Sequence, residues 1–253
     1  MLKISGTIIT LNEEKLIERC IKSLQSVCDE IIVVDSYSTD RTQEIAQSLG
    51  AIVKPHQFLG HIEQKNLAVS LASNPWILSL DGDECLSDEL IQLILKIKLN
   101  PTGHAYSFNR LTNYCGKWIH HCGWYPDKKI RLWNSQYGSW QGVNPHDIVI
   151  MKKDSLVTHI GADILHYSYE SISSHVIQTN QFTSIAAKAA FAKGVRSNLF
   201  KIVSRPILKF FRDYFFKAGF LDGRYGFIIC CINALSALLK YSKIRELEEN
   251  KIA

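Results

Sequence analysis

The segment Trp76-Ile-Leu-Ser-Leu80, followed at once by Asp81-Gly-Asp-Glu84, sets a short apolar strand against an acidic turn, and a helical pattern then runs from Ser87 to about Lys98. The same succession recurs upstream. Lys3–Leu11 is apolar and β-branched, Asn12-Glu13-Glu14 supplies a capping side chain and first-turn acids, and Leu16, Ile17, Cys20, Ile21 and Leu24 follow at helical spacing. Glu30–Asp35 reads as a short buried strand, Ser36–Asp40 as a polar turn, and the next helix closes at Leu49-Gly50. A strand at Ala51–Lys54 and a helical segment at His61–Ala72 complete the series. Four strand–helix alternations predict an α/β fold with a parallel, right-handed, doubly wound sheet. Ligands in such sheets bind beyond the carboxyl ends of the strands, near the point where strand order reverses. Asn12-Glu13, Asp35 and Asp81-Gly82-Asp83 all fall at such ends, so one site built from three distant segments is expected.

After Pro101 the rhythm changes to aromatic-rich strands at Ala105–Tyr114, Ile130–Trp133 and Asp147–Met151, with Trp118, Trp124, Tyr125 and Trp140 in the connecting loops. Such residues suit either stacking on sugar rings or a core. From Ser171 the pattern is helical, which predicts a catalytic domain over residues 1–170 and a helical appendage over 171–253.

With 253 residues, 46% hydrophobic and 21% charged, the chain reads as globular. The seven cysteines are an odd, irregular set that fits reduced thiols in the cytoplasm better than a disulfide framework, and no tripartite leader is read at the start. The net charge of +5 gathers between Arg196 and Lys217, where Lys201, Arg205, Lys209, Arg212 and Lys217 alternate with Leu and Phe. That pattern points to an anionic membrane surface rather than nucleic acid as partner. The apolar run Gly226–Leu239 is interrupted by Asn233 and is shorter than the roughly 18–20 residues a span requires, so a peripheral seat is expected rather than a crossing.

Neither a Gly-x-x-x-x-Gly-Lys-[Ser/Thr] loop nor a Gly-x-Gly-x-x-Gly fingerprint occurs, which disfavours P-loop NTPases and dinucleotide dehydrogenases. What stands at the strand ends is carboxylate. An Asp-x-Asp turn suits a hard divalent ion, Mg²⁺ or Mn²⁺, whose coordination a substrate diphosphate completes. A glycoside hydrolase would also use two carboxylates but needs no nucleotide pocket; a non-catalytic nucleotide-sugar-binding protein is the reading from another class. Cys115, His120, His121 and Cys122 are zinc-ligand types without a common zinc spacing, so core or loop roles are the better reading.

Val34-Asp35-Ser-Tyr-Ser-Thr39-Asp40, Gln64-Lys65-Asn66 and Ile77–Glu84 resemble, in order and spacing, the inverting family 2 glycosyltransferases of GT-A fold. The likeness extends through Gly123–Asp127, Arg131-Leu-Trp133 and Gly219–Gly223, nearest to the bacterial lipopolysaccharide or lipooligosaccharide core β-1,4-glucosyltransferases. The resemblance implies a UDP-sugar donor, UDP-glucose in the nearest members, and an inner-core heptose of a membrane-associated acceptor. It implies that Asn12 and Glu13 line the base and ribose, that Asp35 accepts the uracil N3–H, and that Lys65 lies near the nucleotide. Asp81 would contact the ribose or a metal-bound water, and Asp83 would ligate the metal. Two carboxylates are candidates for the base that deprotonates the acceptor: Asp147, favoured because His146-Asp147 falls where the family has an acidic residue, and Asp127, which could instead orient the acceptor. Asn144-Pro145 departs from the family's usual valine at that point.

Overall fold

The computed structural model describes residues 1–144 and 146–250. The alternating half forms as the sequence predicts: β1 (Ile4–Thr10), α1 (Ile17–Gln25), β2 (Glu30–Asp35), α2 (Thr42–Ser48), β3 (Ile52–Pro55), α3 (His61–Ser70) and β4 (Trp76–Asp81). There follow β5 (Glu84–Leu86), α4 (Asp88–Leu99), β6 (Ala105–Tyr114), β7 (Lys117–Ile119), β8 (Asp127–Asn134), β9 (Gly138–Val143), β10 (His146–Met151) and β11 (Val157–Tyr169). The chain ends in α5 (Ile172–Ala192), α6 (Leu199–Phe211), a π turn at Arg212–Phe216, a 3₁₀ turn at Gly219–Asp222 and α7 (Gly223–Glu249).

The main sheet has the order β3-β2-β1-β4-β8-β6-β11-β5, with β7 added to β6, and β9 pairs β10 separately. The strands from β3 to β4 run parallel, and β8 joins β4 antiparallel. Because the chain moves outward from β1 to β3 and then returns to β4 on the other flank, strand order reverses between β1 and β4. The carboxyl ends of these two strands therefore open the crevice that doubly wound sheets use for ligands. Ile4, Ile8, Ile21, Leu24, Val33, Leu78, Leu80, Leu90 and Ile94 are buried together between this sheet and its helices. Ser87 caps α4 by accepting from the Leu90 amide at 3.2 Å, which is why that helix starts directly after β5.

The chain divides into two compact units: residues 1–111 with 127–167, and residues 112–126 with 168–253. The boundary expected at residue 170 is thus crossed by the segment 112–126, which groups with the C-terminal helices. In the second unit Tyr114 is enclosed by Trp124, Tyr169, His175 and Tyr225, and α7 carries Ile229 and Cys230 into the same cluster.

The peripheral expectation rested on a fourteen-residue apolar run. The helix is longer than that run: Gly219–Glu249 is one continuous helical stretch, long and apolar enough to cross a membrane by length and composition. Asn233 does not interrupt it, since its side chain donates to Asp213 at 3.3 Å from within the helix. Span length therefore does not exclude a crossing, contrary to the sequence expectation.

Candidate active site

The loops after β1 and β2 are laced to each other at the crevice. Asn12 adopts left-handed backbone (φ 56°), its Oδ1 accepts from the Thr39 amide at 2.8 Å, and its own amide donates to Ser38 Oγ at 2.8 Å. The Glu13 amide donates to Thr42 Oγ1 at 2.8 Å. Asp35, the last residue of β2, is fully buried; its carboxylate accepts from the Ser38 amide (2.8 Å), Ser38 Oγ (2.5 Å) and Gln43 Nε2 (2.6 Å). That is the geometry of a turn cap, and it leaves one of the carboxylate's roughly four lone-pair positions for another donor.

The acidic turn sits close against β1. A Cβ on Gly82 would lie 2.7 Å from Thr10 Oγ1 and 3.1 Å from its Cβ, so any larger residue there must displace Thr10. Behind the turn runs a chain of charges. Lys65 on α3 is buried, with Nζ 2.7 Å from Asp147 Oδ2, 2.9 Å from Asp81 Oδ1 and 4.4 Å from the Trp140 ring centre. The contact to Asp81 lies off the hydrogen-bond direction, leaving Oδ1 buried without a donor among the described residues. Arg131 Nη2 reaches Asp81 Oδ2 at 3.3 Å and Glu84 Oε1 at 2.7 Å; Arg110 joins Glu84 at 3.3 Å and Asp127 at 2.7 Å; Lys129 lies 3.2 Å from Asp127. Burial is the largest influence on Asp81 and favours the neutral acid, but Lys65 and Arg131 outweigh it and hold the group well below the usual carboxylate range. Asp127 is lowered likewise: burial opposes ionisation, and Arg110 and Lys129 prevail.

Lys65, Asp81 and Asp147 are thus brought into direct contact, and Asp127 joins them only through Arg110, Glu84 and Arg131. Pro145 lies outside the described residues. Its neighbour Asn144 accepts from the Ile62 amide at 3.0 Å and donates to Glu63 at 2.9 Å, tying the turn before β10 to the start of α3.

Asp83 meets a residue that sequence reasoning did not single out. His166 Nε2, on β11, lies 3.1 Å from Asp83 Oδ2, and its Nδ1 is buried without a partner among the described residues. Burial, the largest influence on His166, resists protonation, but the Asp83 carboxylate outweighs it and raises the imidazole above its ordinary range. Only strand register reveals the pair, because His166 stands opposite Glu84 in the β11–β5 ladder and belongs to no local motif. Among the described residues no three His, Cys, Asp or Glu side chains converge closely enough to hold an ion by themselves. Asp83 and His166 offer one carboxylate and one imidazole, a pair that suits Mn²⁺ or Mg²⁺ only when substrate oxygens complete the shell. Asp81 is taken by two cations.

The Cys/His segment forms part of the second unit's interior. Buried Asp222 accepts from the His121 amide (2.8 Å), the His120 amide (3.3 Å) and Cys122 Sγ (3.8 Å), with His121 Nδ1 at 3.1 Å. The loop is thereby organised around a carboxylate. Of the aromatics, Trp124 and Trp140 are enclosed by their neighbours: Trp124 by Tyr114, Tyr169 and His175, Trp140 by Trp133 and Lys65.

An α/β crevice rimmed by carboxylates, with a charge-paired lysine behind it, is the architecture of a nucleotide-sugar-dependent glycosyltransferase, and comparison with known proteins agrees. Residues 5–156 match glycosyl transferase family 2, and the chain belongs to that family. It is 37% identical to an uncharacterized glycosyltransferase of Rickettsia typhi over 98% of this chain and 88% of the relative. It is 27% identical to the lipopolysaccharide core biosynthesis glycosyltransferase LpsC of Rhizobium meliloti, over 96% of this chain and 92% of LpsC. Among solved structures, S. aureus TarS 1-349 is similar at 13% identity and TM-score 0.46 over 99% of this chain and 91% of that one. Glucosyl-3-phosphoglycerate synthase from Mycobacterium tuberculosis, in complex with Mn²⁺, UDP and phosphoglyceric acid, is similar at 25% identity and TM-score 0.38 over 44% of each chain.

Proposed function

We propose that the chain is an inverting hexosyltransferase that moves glucose from UDP-glucose to an inner-core heptose of lipopolysaccharide or lipooligosaccharide, working peripherally on the cytoplasmic face of the inner membrane. The observation that carries the reading is Lys65, whose ammonium ties the acidic turn after β4 to the Asp147 carboxylate on β10. The 27% identity to LpsC over nearly the whole chain supports the acceptor class.

In this reading Asn12 and Glu13 line the base and ribose, Asp35 offers its remaining lone pair to the uracil N3–H, and Asp81 Oδ1 takes a ribose hydroxyl or a water as its missing donor. Asp83 and His166 would hold a divalent cation, which offsets charge on the departing diphosphate when bound. The acceptor hydroxyl loses its proton to Asp147 while its oxygen bonds to the anomeric carbon from the face opposite the diphosphate, whose C–O bond breaks. The donor diphosphate gives Lys65 a third anionic partner beside Asp81 and Asp147 and so draws the ammonium off Asp147, leaving that carboxylate to take the proton. Asp127, held by both Arg110 and Lys129, is better placed to orient than to deprotonate.

A donor panel with purified protein, a core-oligosaccharide acceptor and Mg²⁺ or Mn²⁺ tests this. Transfer from UDP-glucose with a β-linked product is expected from the α-linked donor. An α-linked product, or transfer from another nucleotide sugar alone, overturns it.

A further inference from the structure

α6 is written like a core helix and placed like a surface one. Nine of its thirteen residues, Leu-Phe-Lys-Ile-Val-Ser-Arg-Pro-Ile-Leu-Lys-Phe-Phe, are apolar or proline, yet among the described residues none of the thirteen is buried. The exposed apolar surface continues beyond the helix: Phe200 is 77% exposed and Phe216 85%, with Leu199, Leu208, Phe215 and Leu221 each more than half exposed. So many large apolar side chains exposed along one stretch of chain mark an interaction site.

We propose that this face is a lipid-docking surface that holds the enzyme by insertion of its aromatic and aliphatic side chains into the headgroup boundary of an anionic membrane, with charge in a secondary part. The inference rests on the membrane location proposed above and changes its physical basis. Sequence spacing gives five cations in this region, and the structure pairs two of them with one buried carboxylate. Lys209 Nζ lies 3.1 Å from Asp213 Oδ2, and Arg212 Nη2 lies 2.8 Å from Asp213 Oδ1. Asp213 is buried and its single carboxylate serves both cations, so the cluster keeps one net positive charge, carried outward on the exposed Arg212 side chain. Lys201 donates to the Arg196 carbonyl at 2.7 Å, while Arg205 and Lys217 are exposed, and none of the three has an acidic partner among the described residues. Three cations without an acidic partner, and the one net charge of the Asp213 cluster, thus rim an apolar surface, the composition of a helix that lies in the interface plane. The rim also selects among occupants. A second copy docked on the same face would bring like charges together around the contact, whereas anionic headgroups complement them.

The test is co-sedimentation of the full chain with phosphatidylcholine vesicles and with vesicles containing phosphatidylglycerol, at about 0.1 M and 1 M salt, where the screening length falls from about 10 to about 3 Å. The wild type is expected to bind the anionic vesicles at low salt and to keep binding at 1 M salt within roughly threefold. Combined Phe200→Ser and Phe216→Ser is expected to lower binding by roughly tenfold or more at both salts, since two large apolar side chains no longer leave water. Arg205→Glu with Lys217→Glu should lower it only at low salt. Both variants alter exposed residues, and circular dichroism confirms their folding. Binding abolished by salt and indifferent to the serine pair overturns the proposal in favour of charge alone. Binding that resists salt and both variants assigns the contact to α7 instead. A dimer in solution that the serine pair converts to monomer assigns the face to self-association. Transfer to a water-soluble acceptor fragment, measured on the same samples, reports the glycosyltransferase reading separately: its loss in the wild type counts against that reading, and its retention in the serine variant beside lost binding supports the docking surface.

Discussion

Replacing Lys65 by methionine keeps most of the side chain's volume and removes only the ammonium. The two carboxylates Asp81 and Asp147 then lose their shared cation, and Asp81 keeps Arg131 at 3.3 Å with Arg110 beyond it. Breaking a buried charge pair from one side costs about 3–5 kcal/mol, because the partner stays buried without compensation. For a chain of this size about 1 kcal/mol corresponds to roughly 2–4 °C, so a fall in Tm of about 6–20 °C at pH 7 is expected by differential scanning calorimetry. The pH dependence carries the sign. In the wild type Asp81 is held below its ordinary range, so its ion pairing contributes stability above the unfolded pKa of about 3.9 and loses it as pH falls through the lowered folded value. In the variant the burial that resists ionisation of Asp81 is no longer offset by Lys65, so its folded pKa rises towards or past the unfolded value and its ionisation contributes less stability at neutral pH. The deficit relative to wild type should shrink as pH falls from 7 towards 4. A Lys65→Met protein with unchanged Tm, or with a deficit that grows in acid, would falsify the view that this lysine compensates both carboxylates.

Asp147→Asn should lower turnover by roughly 10²–10⁴-fold with little change in donor affinity, while Asp127→Asn leaves turnover closer to wild type; the reverse order, read by UDP release and donor titration, reassigns the base. Asp83→Ala and His166→Ala should each weaken Mn²⁺ binding by roughly tenfold or more in the presence of UDP, measured calorimetrically, and unchanged affinity in the histidine variant removes it from the pair. Asp222→Ala strips acceptors from the amides of His120 and His121 and is expected to cost about 2–4 kcal/mol in denaturant melts; a loss under 1 kcal/mol means that water replaces the carboxylate. Gly82→Ala should abolish transfer, because the added methyl meets Thr10; full activity would show that the turn yields.

The parallel half of the sheet was readable because each element carries its own signal: β-branched runs at β1 and β2, helical spacing at Leu16–Leu24, and Gly50 at a helix end. Carboxylates at strand ends were readable for the same reason, since strand order alone places Asp35 and Asp81 on one rim. What could not be read comes from pairings between distant segments. β11 contains Thr158, His159, Gly161 and Asp163 and shows no unbroken apolar run; it is a strand because β5 and β6 flank it. His166 becomes a site candidate only through that register. The pairing of Lys209 and Arg212 with Asp213 is similar: helical spacing shows five cations but cannot show that a buried carboxylate serves two of them. Asp35 illustrates the opposite limit, since its sequence position suits a cap and a base-recognition role equally, and the buried geometry displays the cap.

The excursion of residues 112–126 into the second unit has a consequence for anyone wishing to produce the catalytic unit alone. Stopping the chain near residue 168 would strand that loop, because the carboxylate that organises it, Asp222, lies downstream of the cut. The β6–β8 hairpin offers a way round. Arg110 and Asp127 are partners in its ladder, so the two strands are one hydrogen-bonded spacing apart where the excursion leaves and returns. A chain that ends after β11 and replaces residues 111–126 with a two-residue Asn-Gly turn between the paired Arg110 and Asp127 would close the hairpin and keep every charged residue of the Lys65 network. Minimisation of this enzyme is therefore a matter of one internal excision together with one truncation, and neither cut serves without the other.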